Sequence, residues 1–139
     1  MKLFVAEAGS PEIVHLAESS SLGEVSVSAL AAVEVRSAIR RRERAGDITQ
    51  THAVSAIASL AAELRRVIEH QVTEAVLTRA ETIIDRHTLR TLDALQLATA
   101  LLANEQLPGD ESMEFVCSDS RLLEAASLEG LAAWNPETM

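Results

Sequence analysis

The chain has 139 residues, 47 % of them hydrophobic and 2 % aromatic, and 12 Lys and Arg against 21 Asp and Glu leave a net charge of −9. That fits one domain, residues 1–139, with an aliphatic core that needs no staple, and it excludes nucleic-acid binding by bulk charge alone. The single cysteine, Cys117, excludes an internal disulfide and fits a reducing cytoplasm, and no apolar run is long enough for a membrane span or a signal peptide.

In chain order, Val25 and Val27 around Ser26 alternate like a strand. Ser28 is placed to cap a helix carrying Leu30, Val33, Ile39 and a cluster of arginines, and Gly46 ends it. Thr49 or Thr51 caps a second helix, in which Val54, Ile57, Leu60, Ala61, Leu64 and Ile68 recur at helical spacing. Residues 67–73 read as a short strand, or their start as the end of that helix. Residues 74–87 read as an amphipathic helix with Val76, Leu77, Ala80, Ile83 and Ile84 inward. Residues 91–105, TLDALQLATALLANE, are apolar nearly all round and therefore buried. After a loop at 107–113 come a strand over Phe115–Cys117, a helix from Leu122, and a last short strand from Leu131 to Trp134, stopped by Asn135 and Pro136. Short strands interleaved with helices predict a sheet covered on both faces.

Three acidic residues fall where a carboxylate is awkward. Glu34 lies inside SALAAVEVRSAI, Asp93 in the first turn of the most apolar helix, and Asp119 just past a buried strand. A lone buried carboxylate costs several kcal/mol or stays protonated, so three in such settings point to a shared partner. Each also has a plain structural role open to it: Glu34 paired with an arginine a turn away, Asp93 at a helix dipole, Asp119 as a helix cap. Carboxylates without Cys or His are hard ligands that suit Mg²⁺ or Mn²⁺. Such ions generate hydroxide and hold a phosphodiester for in-line displacement. Competing motifs are absent: His15, His52, His70 and His87 show no zinc spacing, and there is no nucleophile elbow, P-loop or dinucleotide fingerprint. Cys117 reads as a small buried hydrophobe.

Together these segments resemble the PIN-domain ribonucleases, and among them the VapC-type toxins of toxin–antitoxin pairs. VSVSALAAVEVRSAI resembles the segment carrying the family's second acid, here Glu34; LRTLDALQLATALL resembles its most recognisable stretch, with Asp93; FVCSDSRLLEAA resembles its last acidic motif, with Asp119; and WNPE resembles the close of the chain. The resemblance implies a three-layer α/β/α fold with a short parallel sheet. It implies Mg²⁺ or Mn²⁺ held by Glu34, Asp93 and Asp119, endonucleolytic cleavage of RNA, a VapB-type antitoxin partner and a homodimer.

Two departures from the family accompany it. Cys117 stands where the family usually has Thr. KLFVAEAGSPE resembles the start of the family's first helix, so the first central strand and its aspartate are expected to be missing, although Lys2 to Ala6 taken alone reads as a strand. A missing central strand would leave its neighbours with unpaired backbone groups, and the chain is then expected to cut poorly.

Arg36, Arg40 and Arg44 share one helix face, either to meet RNA phosphate or an acidic antitoxin segment, or as a solvated face balanced by Glu43 and Asp47. The leading reading is a metal-dependent endoribonuclease toxin. The alternative is a degenerate PIN fold that binds an antitoxin without cutting. A receiver-like Mg²⁺ domain fits less well, because it expects a lysine late in the chain and the one lysine is Lys2.

Overall fold

The computed structural model describes residues 2–6 and 25–138. Elements are numbered along these residues. Five strands form one parallel sheet: β1 (Lys2–Val5), β2 (Val25–Ser28), β3 (Ile68–His70), β4 (Met113–Val116) and β5 (Ala132–Trp134). Their order across the sheet is β3-β2-β1-β4-β5. Among the described residues five α-helices accompany them: α1 (Ala31–Arg44), α2 (Gln50–Leu64), α3 (Glu74–Arg86), α4 (Thr91–Glu105) and α5 (Ser120–Leu128).

The first central strand, expected to be missing, is present. Lys2–Val5 pairs with β2 through Leu3 and Phe4, and with β4 from Lys2 to Val5. Its side chains alternate: Leu3 and Val5 join one core with Val25, Val27, Ala31 and Val116, while Phe4 joins the other. A short apolar run buried on both faces is what a central parallel strand requires, and this decides against a helix at Lys2–Val5. The rest of KLFVAEAGSPE, beyond Ala6, lies outside the described residues. The unpaired neighbours argued from a missing strand lose their basis; the missing first aspartate is a separate matter, since the first Asp in the chain is Asp47.

The sheet separates two cores. The larger gathers Phe4 and Phe115, stacked with centroids 5.8 Å apart, with Met113, Cys117 and buried residues of α3, α4 and α5. An offset aromatic pair of this kind contributes about 0.5–1.5 kcal/mol beyond its buried area. The smaller lies against Ala31 of α1, with Leu64, Val67 and Trp134 at its margin. These are the three layers.

Local chemistry sets the boundaries. Thr49 and Thr73 cap α2 and α3, accepting from the backbone N–H of His52 and Val76. Gly46, at φ 84°, turns the chain after α1. Ser28, the expected cap, stands two residues ahead of the cap position Leu30: α1 starts at Ala31, and the Ser28 hydroxyl accepts from the Leu30 N–H at 3.1 Å. On α3, Val76, Ala80 and Ile83 face the core as expected, but Leu77 and Ile84 are 48 % and 43 % exposed. They lie one residue past the inward stripe, which rotates them toward solvent.

Where the strand order reverses, β1 sits between β2, which follows it in the chain, and β4, reached through α3 and α4. The crevice at the carboxyl ends of β1 and β4 is the place for a ligand in an open sheet of this kind.

Candidate active site

Asp119 follows β4 by three residues. Its two oxygens do different work. Oδ1 accepts from the Leu122 N–H at 3.0 Å and caps α5, while Oδ2 lies 4.0 Å from the Arg90 guanidinium. The cap and the site ligand considered for this residue are therefore compatible. Cys117 is fully buried, and its thiol donates to the Asp119 carbonyl at 3.6 Å, so it holds the turn that presents the aspartate.

Asp93 comes from the first turn of α4, where a carboxylate is favoured by the helix dipole. Its Oδ2 accepts from Arg90 Nε at 3.2 Å. One guanidinium thus lies between Asp93 and Asp119, and it marks a place where both carboxylates turn toward positive charge. Two ionised carboxylates so disposed repel each other until a cation relieves them. Arg90 itself is loosely placed, its side chain 82 % exposed against 19 % for Asp93 and 32 % for Asp119.

Glu34 lies on α1 and is partly buried. Its Oε1 accepts from Gln96 Nε2 at 2.5 Å, and Gln96 sits one turn beyond Asp93 on α4. The sequence reading passed over Gln96, although a polar residue at i+3 from Asp93 in an otherwise apolar helix was its visible signal. Glu34 and Asp93 line one cleft of about 1120 Å³ between α1, α2 and the start of α4, together with Ala6, which follows β1, and Arg90. Arg41 and Arg42 also line it, at the i+7 and i+8 positions from Glu34. The arginine face singled out from the sequence is different: Arg40 is paired with Glu43 at 2.8 Å, and Arg36 and Arg44 are exposed.

Among the described residues, no three of the His, Cys, Asp and Glu side chains are grouped to hold a metal ion. Asp93 and Asp119, sharing a cation, still fit the preference of Mg²⁺ for one or two carboxylates with several waters kept. The acid next after β1 in the sequence is Glu7, which lies outside the described residues. Of the histidines, His87 pairs with Glu129 at 2.7 Å, far from a ligand role, and His52 lines the cleft. His70, at the end of β3, has a pKa lowered by burial. His15 lies outside the described residues.

The PIN domain family profile matches residues 4–127. The chain belongs to the PIN domain family. The fold recurs in solved structures. FitAcB from Neisseria gonorrhoeae superposes with a TM-score of 0.64 at 17 % identity, covering 100 % of both chains. A toxin–antitoxin complex from Klebsiella pneumoniae gives 0.63 at 15 % identity, over 98 % of both chains. VapBC-1 from nontypeable Haemophilus influenzae gives 0.61 at 12 % identity, also over 98 % of both. At these identities the likeness establishes the fold. No curated protein sequence matches the chain significantly. Among the described residues, no helix is long and apolar enough to cross a membrane.

Proposed function

We propose that this PIN domain, taken as one unit over residues 1–139, is the toxin of a VapBC-type pair, a metal-dependent endoribonuclease acting in the cytoplasm. The observation that carries the reading is the pair Asp93 and Asp119, turned onto one guanidinium beside the switch point of the sheet. In this reading Glu34, Asp93 and Asp119 hold Mg²⁺ or Mn²⁺. Bound there, the ion supplies a nucleophile at neutral pH and stabilises the leaving oxygen of a phosphodiester. The protein's own part is positional: α4 fixes Asp93 on a buried helix, the α5 cap fixes Asp119, and Arg41, Arg42 and Arg90 offer phosphate contacts on an otherwise acidic molecule. The cleft combines those arginines with apolar side chains such as Val33 and Leu92, 68 % and 47 % exposed, which suits an acidic amphipathic antitoxin segment. A homodimer follows from the family resemblance.

A second reading, a PIN fold that binds its antitoxin without cutting, is favoured by the lack of a three-acid group among the described residues. The test is incubation of the purified chain with structured RNAs and Mn²⁺ beside Asp93→Ala. Cleavage that needs the metal, and that falls about hundredfold or more in the variant, is expected. A folded chain that binds antitoxin and leaves every RNA intact sinks the nuclease and leaves the binding module.

A further inference from the structure

Gln96 is an anomaly in the best-packed of the described helices. It is 2 % exposed, flanked by Leu95 and Leu97, and Leu or Met would fill the same space without a polar group. Its Nε2 donates to Glu34 Oε1, and its own Oε1 is buried without a hydrogen-bond partner among the described residues. An ionised Glu34 fixes which way the amide points, since a carboxylate accepts only and must face the NH₂ end. The amide therefore keeps one unsatisfied buried acceptor in order to present its donor to Glu34. Such a group calls for a reason beyond packing.

We propose that Gln96 is a positioning residue for the metal site: its Nε2–H holds the Glu34 carboxylate, which α1 delivers, in register with Asp93 on α4. The inference rests on the metal-nuclease reading of the site. It adds a residue that bridges two elements 62 positions apart in sequence. α4 contributes both Asp93 and Gln96 from one side, three residues apart and so on the same helix face. A fixed Glu34 loses less conformational freedom when a cation arrives, and partners of this kind typically account for tenfold to about a hundredfold in metal affinity.

The test is Mn²⁺ titration of the full chain by calorimetry, with thermal melts taken in the absence of metal. Gln96→Met is expected to weaken Mn²⁺ binding by about tenfold to a hundredfold. Its metal-free Tm should equal or exceed that of the wild type, because the unsatisfied acceptor is gone. Gln96→Asn keeps the amide but withdraws it by one methylene, and it should lose Mn²⁺ affinity in the same way if Gln96→Met folds badly. In a Glu34→Gln background, Gln96→Met should change Mn²⁺ binding no further, since it acts through Glu34. A variant that binds Mn²⁺ like the wild type, or that loses as much without Glu34, overturns the inference alone. A wild-type chain that takes up no Mn²⁺ overturns the metal-nuclease reading and this inference with it.

Discussion

α4, α1 and α2 are helices of 15, 14 and 15 residues, and α4 ends up in the opposite state to the other two. α4 buries eight of its residues, from Ala94 to Ala103. α1 buries Ala31 and Val35, and α2 buries Ala53, while Val33 and Val54 stand 68 % and 54 % exposed. The difference assigns separate tasks. The α4 side carries the stability and holds Asp93 rigidly. The α1–α2 side presents apolar and basic surface and brings Glu34 to the seam between the two.

The sharpest way to break this comparison is a pair of truncations. Leu97, fully buried in α4, should cost about 2–5 kcal/mol when changed to Ala. Val54→Ala on α2 should stay within about 0.5 kcal/mol. Urea melts measure both, and similar losses would mean that α2 is as integral as α4.

A smaller effect separates the two sides by pH. Glu129 ties the end of α5 to the end of α3, contacting His87 at 2.7 Å and Arg86 at 3.3 Å. The His87 hydrogen bond first, and then the charge of Arg86, hold its carboxyl below the ordinary 4.5, against some opposing desolvation. A depressed carboxylate stabilises the fold above its unfolded pKa, and that contribution is lost as pH falls through the folded one. Denaturation below pH about 4.5 should thus steepen for the wild type relative to Glu129→Gln, with no such divergence near neutrality. Identical curves would remove the pair from the account.

The smallest effect lies at the seam. Arg90 is so exposed that its ion pairs are worth at most about 1 kcal/mol. Arg90→Gln should therefore tighten Mn²⁺ binding only slightly, by about twofold to fivefold, as a competing cation leaves. Weaker binding in the variant would show that Arg90 supports the carboxylates and does not compete for them.

What could be read in advance follows the range of the interactions involved. Thr49, Gly46 and the bounds of α4 depend on neighbours within a turn, and the sequence displays them. β1 is legible in the apolar run from Leu3 to Ala6, against the helix that the family resemblance implies there, and the sheet pairing bears out the strand. Leu77 and Ile84 belong to the apolar stripe of the sequence but lie at its edge, because that stripe is one residue wider than the face α3 buries. Asp119 could be read as cap or ligand, and only the direction of each oxygen shows that one does not preclude the other. The Glu34–Gln96 bond was out of reach, because nothing local records a partner 62 residues away.

Trp134 gives the molecule a further use. The chain has one tryptophan and no tyrosine. That indole sits on edge strand β5, opposite Val116, and its carbonyl accepts from the Cys117 N–H at the start of the turn that leads to Asp119. Intrinsic fluorescence therefore reports on a single place, the margin of the smaller core beside β4, where the indole packs as Leu64 and Val67 do. Anything that rearranges that core registers optically without a label, and α1 and α2, which hold no Trp or Tyr of their own, are sensed only where Ala31 and Leu64 meet it.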